Sequence, residues 1–284
     1  KKINIPLSAI NGLVNKQAIN FAYLIKILKF AKLSNKKIVS LTQKVKAKNH
    51  NKLQNVIWKN SKEFSRFLGY LLAEGRLTSS NQIWFTNGTE EVVQDYISIV
   101  KKLFNIDVKA NEYKPNCWDI LIYSSTLIKI LTKFGMPLGT AKDKDLTNLF
   151  LAHSAKEELS ELLNGYYCGD GYVSKNSIEV TTKSAKLAFK INTVLLRLGI
   201  ISYSKLKIKI ATNSDFSGLY HTLVITNNES IKNFYKNIKL VHKRKQERLN
   251  KIVLRRANSN DDLIETNLLI KDISKKLKIN LKKI

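Results

Sequence analysis

Only two cysteines, Cys117 and Cys168, occur in the 284 residues, too few and too far apart for a disulfide framework or a zinc ribbon. No stretch approaches the roughly 18 uninterrupted apolar residues that a membrane span needs, and no apolar leader ending in small residues precedes the first strong periodicity. A secreted or membrane-integral protein is therefore not expected, and the expected location is inside the cell, in the cytoplasm or an organelle matrix. The four histidines, His50, His153, His221 and His242, have no metal-ligand spacing. No nucleophilic triad or phosphate-loop pattern occurs either. Acidic residues are scarce as well: 22 Asp plus Glu stand against 49 Lys plus Arg, a net charge of +27. Solubility does not require so large an excess, and a polyanion such as nucleic acid accounts for it better. What the chain does have is 44% hydrophobic content with 9% aromatics, enough for one or two cores and too much for wholesale disorder.

The basic excess is uneven. Residues 1–60 hold thirteen lysines and no Asp or Glu. Within them Ala18, Phe21, Ala22, Leu24, Ile25, Leu28 and Ala31 recur at helical spacing with Lys26, Lys29 and Lys32 between them, which predicts a basic amphipathic helix. A second short helix is expected over Lys37 to Lys46, the two forming either a small DNA-binding module or a packing arm. The tail from 258 to 284 opens in a loop and is expected to end in another basic helix over Leu268 to Leu277.

From Glu63 to Glu247 the chain states one pattern twice. Phe67-Leu-Gly-Tyr-Leu-Leu-Ala-Glu74-Gly75 aligns with Leu163-Asn-Gly-Tyr-Tyr-Cys-Gly-Asp170-Gly171, keeping Gly69/Gly165, Tyr70/Tyr166, Ala73/Gly169, Glu74/Asp170 and Gly75/Gly171 at a constant offset of 96 residues. The run Ile83 to Thr86 matches Ile178 to Thr181, and the helical stretch Val92 to Phe104 matches Leu187 to Gly199. Each repeat reads helix, two strands, helix, two strands, helix. The expected fold is α+β, two αββαββα repeats related by a pseudo-two-fold axis, over 61–150 and 151–257, with basic helical segments at both ends.

In each motif the small residues Gly69 and Ala73, or Gly165 and Gly169, lie four apart on one helical face. Glycine inside a helix costs about 1 kcal/mol relative to alanine, so a close approach by another backbone is expected, most simply the other motif helix. Glu74 and Asp170 then meet at the helix C-terminal ends, where the macrodipole is negative and like charges repel. Divalent ions compensate such a pair, taking hard oxygen ligands and bridging to phosphate, and the implied chemistry is phosphodiester hydrolysis. Tyr70 and Tyr166 read as core residues, and Cys168 as a small buried hydrophobe.

Those two motifs and the repeated architecture resemble the LAGLIDADG homing endonucleases in their two-motif, single-chain form, closest in style to intein-associated members. The resemblance covers about 185 residues and implies a saddle whose two curved sheets lie along the DNA major groove. It implies catalytic and metal-binding roles for Glu74 and Asp170, with Ala73 and Gly169 beside them in the metal site. Mg²⁺ is the implied cofactor, with Mn²⁺ able to substitute. Family members carry a basic residue after each half, and here the expectation falls on Lys142 and Lys245, with Lys144, Lys243 and Arg244 adjacent. The first motif has Glu where Asp is commoner, which lengthens the reach by one methylene. Residue 1 is not Cys, Ser or Thr and the end lacks a His-Asn pair, so a freestanding or intron-encoded enzyme, or an excised endonuclease region, fits better than a splicing element.

Tyr203-Ser-Lys-Leu-Lys-Ile-Lys-Ile210 alternates strictly, placing Tyr203, Lys205, Lys207 and Lys209 on a wet face and Leu206, Ile208 and Ile210 on the other. Such a ribbon fits the major groove. The matching strand, Asp107 to Lys114, presents Lys109, Asn111 and Tyr113. The expected activity is therefore a site-specific endonuclease acting as a monomer on a long asymmetric duplex target and leaving short 3′ overhangs. An intron RNA maturase and a non-catalytic DNA-binding regulator on the same fold are the alternatives.

Overall fold

The computed structural model describes residues 5–7, 11, 21–46, 53–57, 59–210, 217–254 and 276, and all packing considered below lies within residues 1–253. Helices α1 (Phe21–Phe30) and α2 (Asn35–Leu41) are joined by a short turn in which Lys32 has a φ of 57°. Of their described side chains only Ile38 is buried. The helix expected over Lys37 to Lys46 stops at Leu41. Thr42 Oγ1 donates back to the Ile38 carbonyl at 2.6 Å, a local bond that competes with helix continuation. Lys44–Lys46 instead forms β1, antiparallel to β2 (Leu53–Asn55). Ala18 and the tail helix expected over Leu268 to Leu277 fall outside the described residues, Lys276 excepted.

The duplication is visible in three dimensions. The first repeat runs α3 (Lys62–Glu74), β3 (Gly75–Leu77), β4 (Gln82–Asn87), α4 (Glu90–Phe104), β5 (Ala110–Lys114), β6 (Cys117–Tyr123), α5 (Ser125–Lys133). A 3₁₀ turn, Ala141–Asp143, and the short helix α6 (Asn148–His153) lead to the second repeat. That repeat runs α7 (Lys156–Gly169), β7 (Gly171–Val173), β8 (Ile178–Thr182), α8 (Ala185–Arg197), β9 (Tyr203–Ile210), β10 (Ser217–Ile225), α9 (Asn228–Asn237), and α10 (Lys243–Val253) follows it. Both sheets are four-stranded and antiparallel, in the orders β3-β4-β6-β5 and β7-β8-β10-β9. The same order recurs because the same alternation and turn spacing is written twice.

Side-chain oxygens set the helix starts. Ser61, Ser124, Ser184 and Asn227 each accept a backbone N–H three residues on, at 3.0–3.2 Å. Helices α3 and α7 lie together at the centre, and their apolar faces enter one core with the inner faces of both sheets. Phe67, Phe85 and Tyr96 stack there, with ring centroids 4.1 Å (Phe85–Tyr96) and 5.4 Å (Phe67–Tyr96) apart. Tyr70, Tyr166 and Cys168 are buried in this core, as their patterning implies.

Two expectations about the strands need correction. The strand expected from Asp107 begins at Ala110, so Lys109 stands just before it. Leu206 and Ile208 are 61% and 76% exposed instead of covered. The reason is reach: β8 pairs with β10 only as far as Thr182↔His221, whereas β9 and β10 continue pairing outward to Ile210↔Ser217. Ile208 lies past Thr182, where the sheet narrows to two strands, and Leu206 sits level with Thr182 on the outermost strand, opposite His221.

The helix pair yields a test. A Cβ on Gly69 would run into the Leu162 carbonyl and stand 2.9 Å from the Tyr166 nitrogen, and a Cβ on Gly165 would meet the Arg66 carbonyl and stand 2.9 Å from the Tyr70 nitrogen. Helix propensity alone predicts that Gly→Ala stabilises by up to about 1 kcal/mol, while forced separation of two backbones predicts a loss of about 1–3 kcal/mol. Gly69→Ala and Gly165→Ala are each expected to lose stability in urea unfolding. A gain in either would mean that the helices do not need this approach.

Candidate active site at the paired helix ends

The two glycine contacts exchange under the 96-residue offset: Gly69 faces Leu162, and Gly165 faces Arg66. A pseudo-two-fold axis therefore passes between α3 and α7. Following the helices to their C-terminal ends, Gly169 sits so close to α3 that a Cβ there would overlap Ala73 and stand 3.1 Å from Glu74 Cγ. Glu74 is the last residue of α3 and Asp170 caps α7, so the axis brings the two acids to one place, as the motif spacing implies.

Each helix end also receives a lysine. Lys144 Nζ donates to the carbonyls of Leu71, Leu72 and Ala73 at 3.2, 2.8 and 3.0 Å. Lys245 Nζ donates to Tyr167, Cys168 and Gly169 at 3.1, 2.7 and 2.8 Å. These are equivalent carbonyls in the last turns of the two helices, where internal partners run out; Leu71 and Tyr167 each also accept the N–H of the capping residue, Gly75 or Asp170. An ammonium there offsets the negative end of the macrodipole and leaves each carboxylate a nearby cation.

The lysines are drawn out of solvent further than the acids: Lys144 is buried and Lys245 half-buried, while Glu74 and Asp170 are exposed. Burial pushes the Glu74 carboxyl above its ordinary range, while Lys144 and Lys245 pull it back down. Burial lowers the Lys144 ammonium, with Asp170 and Glu74 opposing. Lys245 is likewise lowered by burial, with Cys168, Asp170 and Glu74 opposing. Both lysines thus feel both acids, the electrostatic signature of one shared site.

Lys245 stands where the sequence placed it. Lys142 does not join the cluster: it is exposed in the 3₁₀ turn, and Lys144, just after that turn and 7% exposed, supplies the ammonium. The turn swings residue 142 outward before the chain dives to the buried Leu146. Two lysines in one short loop carry no local signal that tells them apart.

Among the described residues no three His, Cys, Asp or Glu side chains converge on a point. The donor set is instead two carboxylates and the Ala73 and Gly169 carbonyls, each of which keeps a second lone pair beside its lysine. Hard oxygens in small number, with the Glu74 carboxyl held above its ordinary range, fit a divalent ion that retains several waters. Glu74 and Asp170 would hold it.

Beside Asp170 an open groove runs along the second sheet, lined by Asp170, Tyr172, Glu179, Thr181 and Tyr220. Tyr203 and Lys205 lie on this side and form a cation–π pair at 5.0 Å. Lys207 reaches Glu179 at 3.5 Å, which Ser177 Oγ also contacts at 2.9 Å. The Lys209 side chain falls outside the described set. In the first half Lys109, Asn111 and Tyr113 are exposed, with Lys114 over the Tyr113 ring at 5.1 Å. Sequence reasoning missed the row beside Asn111, where Asp119 pairs with it in register and accepts from Thr86 Oγ1 at 2.5 Å.

Residues 157–239 match the family model described as LAGLIDADG-like domain. The chain carries a LAGLIDADG-like domain. It spans α7 to α9, and the first repeat has the same architecture. Among curated proteins the chain is similar to the replication factor C small subunit of Methanocaldococcus jannaschii, 29% identical over 206 residues, which are 72% of this chain and 11% of that protein. It is similar to the Thermococcus kodakarensis replication factor C small subunit, 27% identical over 76% of this chain and 24% of that protein. The M. jannaschii DNA-directed RNA polymerase subunit Rpo1C is 30% identical over 70% of this chain and 22% of that protein. The chain thus spans between a tenth and a quarter of these relatives. Among solved structures it resembles the homing endonuclease I-DmoI, with a TM-score of 0.45 and 14% identity over 62% of this chain and 95% of that one. Full-length WhiA of Thermotoga maritima gives a TM-score of 0.46 and 15% identity over 78% of this chain and 69% of that one.

The lysine assignment is testable without substrate. Lys144→Met removes the buried cation beside the two acids and takes a donor from the Leu72 and Ala73 carbonyls, a loss of about 1–3 kcal/mol. The same change at exposed Lys142 is expected to stay within about 0.5 kcal/mol. In the variant the Glu74 carboxyl lies further above its unfolded value of 4.5. A raised carboxyl favours the folded state only while protonated, so the Lys144→Met deficit is expected to be full at pH 7 and to shrink as pH falls towards 4.5. Urea unfolding at pH 4.5 and pH 7 checks it; a pH-independent deficit would overturn it.

Proposed function

We propose that this protein is a site-specific double-stranded DNA endonuclease that hydrolyses one phosphodiester bond in each strand with divalent ions, Mg²⁺ by preference, at Glu74 and Asp170. One observation carries the reading: a two-fold pair of helix ends, each with a carboxylate and a lysine bonded to its last carbonyls, in one site built by both repeats. A DNA duplex has the same local two-fold symmetry between its strands, so each strand would meet an equivalent acid and ammonium. When bound, the divalent ion supplies Lewis-acid stabilisation of the leaving oxygen and an acidified water.

The chain's own groups do the rest. Glu74 and Asp170 would hold the cationic centre, and the upward push on the Glu74 carboxyl, which Lys144 and Lys245 oppose, favours added positive charge beside it. Lys144 and Lys245 aim ammonium charge at the same point, where a phosphodiester gains negative charge in the transition state. Lys205, Lys207 and Tyr203 on one sheet, with Lys109, Asn111 and Tyr113 on the other, would contact phosphates and base edges. Their dissimilarity favours an asymmetric target. Because one chain contains both halves, the working unit would be a monomer.

The relatives fit this reading. A replication factor subunit and an RNA polymerase subunit have different named roles, yet each resembles this chain over a minor share of its length. The shared stretch is then a module carried within larger proteins, with an activity of its own. In the cell such a module would act at the host gene, as homing requires.

Cleavage of a randomised duplex library with Mg²⁺ tests the proposal. The native chain is expected to cut discrete sites, with Glu74→Gln and Asp170→Asn retaining binding and losing on the order of a thousandfold in rate. Binding without cutting by the native chain would overturn the nuclease reading in favour of a regulator, or of a maturase if intron RNA is bound instead.

A further inference from the structure

We infer that Ser184 and Glu91 are positioning residues, each reaching across from the opposite repeat to hold the segment that carries the other repeat's site lysine. This rests on the proposed function only for its strand-by-strand consequence. Lys144 caps α3 of the first repeat, but its own carbonyl accepts a 2.6 Å bond from Ser184 Oγ of the second. Ser184 is 1% exposed, and its oxygen also accepts the Leu187 N–H at the start of α8. One hydroxyl thus ties the end of that helix to the backbone of the lysine.

The other side repeats the device with different chemistry. Lys245 caps α7 of the second repeat, and the segment leading into it is held by the first. The Lys243 N–H donates to Glu91 Oε1 at 2.9 Å, and the His242 ring lies 3.3 Å from Thr89 Oγ1 through Nε2. Thr89 and Glu91 begin α4, the helix equivalent to α8, and Thr89 occupies the N-cap position that Ser184 occupies in the second repeat. An acid in the first turn of a helix is favourable without any partner. That alone would leave Glu91 in solvent, whereas here it accepts a backbone N–H from the far end of the other repeat, 152 residues away in sequence.

The clamps are crossed and independent. One is a buried neutral hydroxyl–carbonyl bond, and the other is a partly exposed carboxylate with a backbone donor. Loosening one should free one lysine and leave the other in place. Each half of the proposed centre therefore depends on a residue of the other half that touches no reacting atom.

The test is mass-spectrometric measurement of amine labelling on the full chain, which reads each lysine separately and needs no substrate. Ser184→Ala is expected to raise the labelling rate of Lys144 about tenfold, the equivalent of one lost hydrogen bond, and to leave Lys245 unchanged. Glu91→Ala is expected to do the reverse, and Glu91→Gln, which keeps the acceptor, to label like the native chain. Ser124→Ala, which removes the cap of α5, controls for general loss of stability and should expose neither lysine. With the cleaved target in hand, Ser184→Ala and Glu91→Ala should accumulate nicks in opposite strands. Both lysines responding together, or neither, would overturn the clamps. Selective labelling in a native chain that cuts no DNA would uphold them and reject the nuclease instead.

Discussion

Backbone contact between α3 and α7 is the constraint from which the rest follows. Gly69 and Gly165 let each helix lay its peptide groups against the other, and Gly169 against Ala73 extends the approach to the very ends. Bulkier residues would hold the axes at ordinary helix–helix spacing, about 8–10 Å, with Glu74 and Asp170 drawn apart. The close packing is thus what makes a shared site out of two terminal acids. It also fixes the two sheets relative to each other, because each sheet is strung directly from its motif helix: Gly75 and Gly171 open β3 and β7 with no intervening loop.

Such an arrangement is electrostatically unfavourable on its own terms. Two carboxylates meet at two negative helix ends. The fold answers with the buried Lys144 and the half-buried Lys245, each spending all three of its donors on carbonyls in the last turn of one helix. Burying an ammonium is itself costly, which is why both lysines are held below their ordinary range. On the proposed reading, a divalent ion bound there would add cationic charge that the two lysines supply only in part.

Much of this was legible in the sequence because it is local or repeated. The motif helices, their glycine faces, the acids at their ends and the order of strands all follow from periodicity and a constant offset, while Lys245 follows only from the family resemblance, which implies a basic residue after each half. What sequence could not supply depends on where a turn points a side chain or on partners far apart. Lys142 and Lys144 differ only in which side of a three-residue 3₁₀ turn they occupy. The hold of Ser184 on Lys144 spans 40 residues and that of Glu91 on Lys243 spans 152, with no compositional mark. Exposure of Ile208 arises because β8 ends before its neighbours do, and Leu206 lies on the outermost strand level with the last residue of β8, relations between strands invisible in the alternation of either.

The two repeats share a backbone plan and diverge in what they attach to it. Arg66 contacts Glu161 at 2.6 Å and Asp95 at 3.0 Å, and Asp95 also accepts from Tyr70 at 2.7 Å, giving the first repeat a polar tie across the helix pair. The position equivalent to Arg66 is Leu162, fully buried, so the second repeat has apolar packing there. On the sheets the same divergence appears as Asn111 and Asp119 in one half against Lys205 and Lys207 in the other. Symmetry is kept at the backbone contacts and helix ends, where, on the proposed function, two antiparallel strands would call for equivalence. It is relaxed on the sheets, where a target with different half-sites would call for difference. A gene duplication supplies both at once, since a single chain lets each copy change its surface residues without disturbing the glycines that hold the pair together.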